Sequence, residues 1–347
     1  MKSNTLPLIE SPPIVTYQHH AFYLGILFTD KKSLPWFVSN YINLIYDRRE
    51  KLKINFVLGE EYFDMDCFTY NKIGYDLSLD IFNSNELTEI IKRMIDGGYY
   101  VLGAFDEFFV PNRFASGKYH HAHDFLLYGY DDDDMSFQII GYTDKNTYKK
   151  GQLPFNELKS ALYSVRPNWV NFFKIKEDYD FIFDSHQVKK LLFDYLHSKA
   201  SYGHDPCDAC SFGINATLDF VNELDDNLNL FDLRYFRLFW EHKKCMISRL
   251  EYLHENRYLP DNSVINDYLE VVNNFELVLR MAIKVSIKFS MAKRNKSKGK
   301  MQSSQGKLFK AKDAVALESG TLSELKSIIL DAVYKEKNIL EKVIEYL

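Results

Sequence analysis

Cysteine is scarce in this sequence, with four residues at uneven spacing in a chain of 347. That is too few for the disulfide framework that stabilises secreted scaffolds. The chain also lacks any run of about 18 apolar residues, the length that a membrane-spanning helix needs. Its first residues do not include the apolar stretch of a signal peptide. We therefore expect a cytoplasmic protein that does not enter a membrane.

Glycine and proline are also few, at 15 and 9 residues, which argues against a fibrous or disordered chain. A strong excess of one charge is missing as well, because the formal net charge is only -5. Such a balance gives no general attraction to nucleic acid, so we expect no nucleic-acid partner. Hydrophobic residues make up 46% of the chain and aromatic residues 16%. This is enough for two domains with sizeable cores, and it leaves the oligomeric state open.

The apolar periodicity changes near residue 175. Before that point helical patterns come first and strand patterns follow, which predicts an α+β domain over residues 14–175. The helical patterns are 21–28 (short enough to allow a strand), 36–45, 85–97 and 158–163; the strand patterns are 99–110, 123–130 and 136–142. The run Asp131 to Asp134 is polar and short, and it predicts a hairpin turn between the last two strands. It lacks the alternating ligands, glycine and distal glutamate of a calcium loop.

After residue 178 the period is helical almost throughout, which predicts a mostly helical domain over 178–347. The candidate helices are 187–197, 215–224, 235–253, 266–290 and 323–346. A lysine-rich segment of low hydrophobicity at 291–312 interrupts this pattern. It is either a solvated loop between two helices or a docking patch for an acidic partner such as an acyl-carrier protein.

The segment 106–161 has the densest set of chemically useful side chains. His123 begins a strand pattern, and Gly129-Tyr130-Asp131 leads from that strand into the hairpin turn. Papain-like folds present their catalytic imidazole in this way, at the start of a strand and aimed at the N-terminus of a helix. There the helix dipole and the imidazolium together lower the pKa of a cysteine thiol.

These residues resemble the papain-like N-terminal domain of the butirosin-biosynthesis acyltransferase family. Related proteins are encoded in many bacterial nonribosomal-peptide and polyketide gene clusters. The matching segments are 16–22, 97–101, 106–108 and 123–131, with further similarity at 212–214 and 240–246 in the helical half. The resemblance implies a papain-like (cysteine-peptidase-like) fold and acyl transfer from a carrier-protein thioester to an amine through a Cys–His dyad or triad. The implied partners are an acyl- or peptidyl-carrier protein and a small-molecule amine acceptor, with no cofactor.

Position by position, His123 matches the catalytic imidazole of that family. A polar side chain past the returning strand orients this ring in papain-like proteins, and Asp144 is the candidate here. Four further residues are expected to contact the substrate: Gln18, His19, Asp106 and Tyr119.

The sequence departs from the family at the nucleophile. The family has a cysteine at the start of the first buried helix, where this chain has Tyr17, Gln18 and His19. The first cysteine is Cys67, and its acidic neighbours disfavour a thiolate. Two hypotheses follow. In the first, His123 activates the acceptor amine directly; in the second, a non-catalytic accessory or binding protein keeps the fold without the nucleophile. A thiol beside His123 favours the enzyme, whereas Tyr, Gln or His there favours the accessory protein.

Two metal sites are alternatives to these interpretations. His121 and His123 share one face of a strand, and Asp106 or Glu107 would complete a ligand set with them. We prefer a papain-like imidazole with polar neighbours, and no metal.

The second alternative is a zinc site at Cys207 and Cys210, whose spacing suits a metal or, less well, a redox pair. His204 is close in sequence, and His242 or Cys245 would be the fourth ligand. With no second Cys-x-x-Cys in the chain, we favour a helix that starts at Asp205-Pro206.

These considerations predict that the chain forms no stable thioester adduct. Changing Cys67, Cys207, Cys210 and Cys245 together to Ala or Ser should leave any acyl-transfer activity largely intact. If the protein is an enzyme, His123→Ala should reduce that activity by roughly 100-fold or more, the usual scale for a general base. Intact-protein mass spectrometry with an acyl-loaded carrier protein tests the first statement, and a covalent acyl adduct on any one of the cysteines would contradict it.

Overall fold

The structure is a computed structural model that describes residues 2–59, 65–74, 84–165, 169–203, 207–226, 230–299 and 319–347. The strands are β1 (Ser3–Thr5), β2 (Asn43–Asp47), β3 (Ile54–Val57), β4 (Phe68–Gly74), β5 (Tyr100–Asp106), β6 (Ala122–Asp131), β7 (Ser136–Tyr142), β8 (Tyr148–Pro154), β9 (Trp169–Ile175) and β10 (Cys210–Phe212). The helices are α1 (Gln18–Leu27), α2 (Leu34–Ser39), α3 (Ser84–Asp96), α4 (Phe155–Tyr163), α5 (Ser185–Leu196), α6 (Gly213–Asp226), α7 (Leu233–Glu255), α8 (Ser263–Gly299) and α9 (Ser319–Tyr346).

The chain folds into two compact units. The first unit comprises Met1–Leu34 and Glu60–Ile182, and the second comprises Pro35–Gly59 and Phe183–Leu347. In the first unit an antiparallel sheet has the strand order β4-β9-β5-β6-β7-β8. The short strand β1 pairs with the end of β6, from Ser3↔Asp131 to Thr5↔Gly129. The predicted mixture of helices and strands is confirmed, and the sheet is antiparallel.

The predicted turn at Asp131 to Asp134 is confirmed as the hairpin between β6 and β7. Oδ1 of Asp131 accepts hydrogen bonds from the backbone nitrogens of Asp133 at 2.8 Å and Asp134 at 3.2 Å. Such Asx contacts substitute for a backbone turn. The turn sets the register that pairs Asp131 with Ser136.

Helices cover both faces of this sheet. On one face, α3 and α4 bury their apolar sides against side chains of β5, β6 and β9, including Phe105, Phe125 and Phe172. Phe173 points to the opposite face, because neighbouring strand residues alternate. There Tyr23 of α1 packs against Phe173, with ring centroids 5.0 Å apart. Nine of the ten residues of α1 are buried, as expected for a helix that is apolar on all sides.

The second unit combines a three-stranded sheet, in the order β10-β2-β3, with helices α5 to α9. Residues 35–59 belong to this unit, whereas the sequence had placed them in the first domain. The helix predicted over 36–45 ends at Ser39, because Tyr41 takes a left-handed backbone with φ 49°. The chain then enters β2, which pairs with β3 on one side and with β10 on the other, where Asp47 lies opposite Cys210.

The five helices predicted after residue 178 are confirmed as α5 to α9. The loop predicted over 291–312 does not start at residue 291. Helix α8 continues to Gly299, so residues 291–299 are helical. Residues 300–312 lie outside the described residues. Among the helices that the structure describes, none is long and apolar enough to span a membrane.

A buried ion pair connects the helices of the second unit. Nζ of Lys243 on α7 lies 2.9 and 2.7 Å from the carboxylate oxygens of Glu336 on α9. Tyr195 of α5 donates to the same carboxylate at 3.0 Å, and the hydroxyl of Tyr268 on α8 also donates to it. Lys243 and Glu336 are fully buried. Four helices thus meet at one carboxylate.

We predict that Glu336→Ala lowers the free energy of unfolding by about 3–5 kcal/mol, because it leaves the Lys243 charge buried without its partner. The double variant Lys243→Met/Glu336→Leu should recover most of that loss, since it removes both charges. Urea denaturation measures both values. The matched control is Glu276→Ala, which breaks the exposed pair with Arg280 and should change stability by less than about 1 kcal/mol. Equal losses in Glu336→Ala and the control would contradict the prediction.

Candidate functional site

The N-terminus of α1 lies against the start of β6, as the sequence predicted. Gln18 is the first residue of the helix, and its amide nitrogen is hydrogen-bonded to Nδ1 of His123. Gln18 is 7% exposed, whereas His123 is half-buried. Gln18 therefore lies beside the imidazole, at the position where the family resemblance implies a nucleophile.

The Gln18 amide lies between two strands at the point where they part. The β6–β7 ladder has its last pair at Leu126↔Ile140, and continued register would place Asp124 opposite Tyr142. Gln18 bridges these two residues instead. Its Nε2 donates to the carbonyl oxygen of Asp124 at 2.6 Å, and its Oε1 accepts from the Tyr142 nitrogen at 3.4 Å. The side chain thus continues the ladder by one step.

These two backbone contacts determine which way round the amide lies. A flipped amide would place Oε1 against the carbonyl of Asp124 and Nε2 against the N–H of Tyr142, and both contacts would be repulsive. One hydrogen of Nε2 therefore bonds to Asp124, and the other points at Nδ1 of His123. Because Nδ1 accepts, the neutral imidazole carries its proton on Nε2. The ring can then donate to a ligand from Nε2.

His19 follows Gln18 on α1 and is half-buried. Its ring stacks on Tyr17 at a centroid distance of 5.6 Å and lies 4.4 Å from the ring of His20. Burial lowers the pKa of His19 to about 4, so the ring is neutral near pH 7. His19 contributes an uncharged aromatic surface beside Gln18.

Asp144, the candidate for orienting the imidazole, lies in the exposed turn between β7 and β8. Its backbone nitrogen donates to the carbonyl of Asn112 at 3.0 Å. Within the described ranges, no hydrogen bond or ion pair joins Asp144 to His123. The contact that holds the ring comes from Gln18 instead.

Asp106 lies at the end of β5, where it is 1% exposed. Its carboxylate accepts from His120 Nδ1 at 2.6 Å and from the backbone nitrogens of His121 at 3.0 Å and Phe108 at 3.1 Å. Burial alone would raise the pKa of Asp106, but these hydrogen bonds outweigh it and the pKa is lowered. Asp106 thus anchors the loop after β5. Tyr119 in that loop is 47% exposed and is accessible to a ligand.

The histidines of this loop do not gather into a metal-ligand set. The rings of His121 and His123 have centroids 5.8 Å apart, but His120 turns towards Asp106. Nowhere in the part of the chain that the structure describes do three or more His, Cys, Asp or Glu side chains converge as a metal site would require.

Arg113, which no sequence pattern singled out, is 2% exposed. Its Nη1 donates to the carbonyls of Gly141 at 2.8 Å and Tyr142 at 2.7 Å, and the guanidinium lies 4.8 Å from the ring of Phe125. Burial lowers the pKa of Arg113 to about 10, so the side chain stays charged. Arg113 therefore supports the end of β7 that Gln18 also contacts.

Cys67, the cysteine of the first unit, is not in a position to act with His123. Cys67 is fully buried just before β4, and β4 lies three strands from β6 in the sheet, about 14 Å at the usual strand spacing. The alternative of Cys67 as nucleophile is therefore wrong. In the second unit, burial raises the pKa of Cys245 to about 12. Cys207 and Cys210 are bonded to each other.

The chain matches no model of a known protein family and no curated protein.

We predict that neutral His123 exists almost entirely as the Nε2–H tautomer, since Gln18 donates to Nδ1. Long-range ¹H–¹⁵N correlation spectra of the imidazole report which nitrogen carries the proton. Gln18→Leu removes the donor and should give a mixture of tautomers. The exposed His121 is an internal control whose signals should not change. Protonation of Nδ1 in the neutral wild-type ring would contradict the assignment of the amide.

Proposed function

We propose that this chain is a non-catalytic accessory or binding protein of nonribosomal-peptide or polyketide biosynthesis. It uses a papain-like domain of the acyltransferase type in which Gln18 replaces the nucleophile. The observation that carries this proposal is the hydrogen bond between the Gln18 amide and Nδ1 of His123. The place of such a protein in acyl chemistry rests on the segments that resemble the butirosin-biosynthesis acyltransferase family.

A covalent mechanism needs a nucleophile that a neighbouring base deprotonates. An amide has no nucleophilic group, and here it donates a hydrogen to the nitrogen that would act as base. The two backbone hydrogen bonds to Asp124 and Tyr142 hold the amide in that orientation. The site is thus built to bind rather than to form an acyl-enzyme.

The same geometry suits recognition of an acyl group. Nε2–H of His123 is a donor for the carbonyl oxygen of a thioester, and the exposed Tyr119 offers an aromatic surface nearby in the same loop region. An acyl- or peptidyl-carrier protein would deliver the acyl chain, and a small-molecule amine would be the second ligand. In this proposal the protein holds the carrier-bound group without cleaving it.

Direct activation of an amine by His123 is the competing function. It requires Nδ1 to be free, so Gln18 would have to move away and lose its part-buried hydrogen bonds to the Asp124 carbonyl and the Tyr142 N–H. Losing a hydrogen bond of this kind costs about 1 kcal/mol. The geometry therefore favours the accessory protein over this acyltransferase.

The decisive experiment restores the missing thiol. Gln18→Cys places a cysteine beside His123 and at the N-terminus of α1, both of which lower a thiol pKa. With an acyl-loaded carrier protein, this variant should gain the mass of the acyl group, and the wild type should gain none. Iodoacetamide at pH 6 should modify the new cysteine at least about tenfold faster than in Gln18→Cys/His123→Ala.

The matched control is Gln152→Cys, which places a thiol on the exposed face of β8 and should react slowly. Circular dichroism establishes that each variant is folded. If the wild type releases an amide product from a carrier thioester and an amine, and His123→Ala abolishes that release, the protein is an acyltransferase and the proposal is wrong.

A further inference from the structure

The Cys207–Cys210 pair belongs to the second unit. Instead of the helix predicted to start at Asp205-Pro206, Cys207 opens a tight turn and Cys210 begins β10; Asp205 and Pro206 lie outside the described residues. The two sulfurs are bonded. The nitrogen of Cys210 also donates to the carbonyl of Cys207 at 2.9 Å. A hydrogen-bonded turn of this kind keeps two thiols adjacent after the bond between them is reduced.

The pair differs from the other two cysteines in accessibility. Cys67 and Cys245 are fully buried and form no disulfide, whereas Cys207 and Cys210 are both partly exposed. An incoming thiolate can therefore reach this disulfide. The bond closes a loop of only four residues, so it contributes little of the chain-entropy stabilisation that long disulfide loops supply.

A cation lies at one of the two sulfurs. Nη2 of Arg49 is 3.4 Å from Sγ of Cys210. Asp47 holds this guanidinium by accepting from its Nε at 3.0 Å and from its Nη2 at 2.7 Å. Asp47 is itself the ladder partner of Cys210 across β2 and β10. Its negative charge weakens the field of Arg49, but the guanidinium is nevertheless the group that touches the sulfur.

Open space lies next to the same cysteine. Cys210 lines a cavity of about 620 Å³ together with Lys199, Ser211, Asn215 and Asp219. Cavities of this size admit small organic ligands or the tip of a peptide. Space, exposure and a neighbouring cation thus coincide at one disulfide.

We propose that Cys207–Cys210 is a thiol–disulfide exchange site whose electron donor is a dithiol. A thiolate of the donor attacks Sγ of Cys207, the Cys207–Cys210 bond breaks, and Cys210 leaves as a thiolate beside Arg49. In the resulting mixed disulfide, the second thiol of the donor attacks the donor sulfur that is bonded to Cys207. This closes the disulfide of the donor and releases Cys207. The donor ends as a disulfide, and its two protons and two electrons reside on the two cysteines. Stabilisation of the leaving thiolate accelerates such exchange.

The test uses the full-length protein without denaturant and dithiothreitol as the dithiol. Samples are quenched with acid at intervals, alkylated with a maleimide and mapped by peptide mass spectrometry. Cys207 and Cys210 should become alkylated together, while Cys67 and Cys245 remain unmodified. In Cys210→Ser, glutathione disulfide should form a stable mixed disulfide at Cys207.

Arg49→Gln should slow the reduction by about threefold or more, because the leaving thiolate loses its cation. The matched control is Arg234→Gln. Arg234 pairs with Asp232, two residues earlier in the chain, in the same way that Arg49 pairs with Asp47. This variant should leave the rate of reduction unchanged. Reduction that occurs only in denaturant would overturn the proposal, as would equal rates in wild type and Arg49→Gln. The alkylation pattern and the rate of reduction both report on thiol chemistry, so neither depends on any acyl transfer.

Discussion

In the first unit, the side-chain amide of Gln18 joins three segments, α1, β6 and β7, and the geometry around His123 depends on this contact. The amide belongs to α1, yet it completes the hydrogen bonding of β6 and β7 where these strands separate. Since both of its hydrogens and its oxygen are used, the amide has one orientation, and His123 receives its hydrogen bond as a consequence. The position of α1, the separation of β6 from β7 and the tautomer of His123 are thus all linked through the orientation of this one amide.

This coupling accounts for an amide, rather than a thiol, beside His123. A thiol in place of the amide would lose the hydrogen bonds to the Asp124 carbonyl and the Tyr142 nitrogen. Glutamine satisfies both groups and still reaches the imidazole. Arg113 reinforces the arrangement by binding the carbonyls of Gly141 and Tyr142. The surroundings of His123 are therefore adapted to a bridging amide.

Sequence patterns predicted the features that depend on neighbouring residues. The helix that begins at Gln18, the hairpin at Asp131 and the helices of the second unit all follow from local periodicity or turn chemistry. The transfer of residues 35–59 to the second unit could not be predicted in this way, because the pairing of Asp47 with Cys210 spans more than 160 positions. Arg113 had no local signal either: its carbonyl partners are set by the end of β7, far along the chain.

The meeting of four helices at Glu336 has a consequence for the order of events during synthesis. Lys243 leaves the ribosome long before Glu336, since 93 positions separate them. Until α9 has emerged, α5, α7 and α8 would have to enclose a cation without its anion, and that is strongly unfavourable. The nascent second unit would keep this part of its interior open to water, so its final packing follows the synthesis of α9.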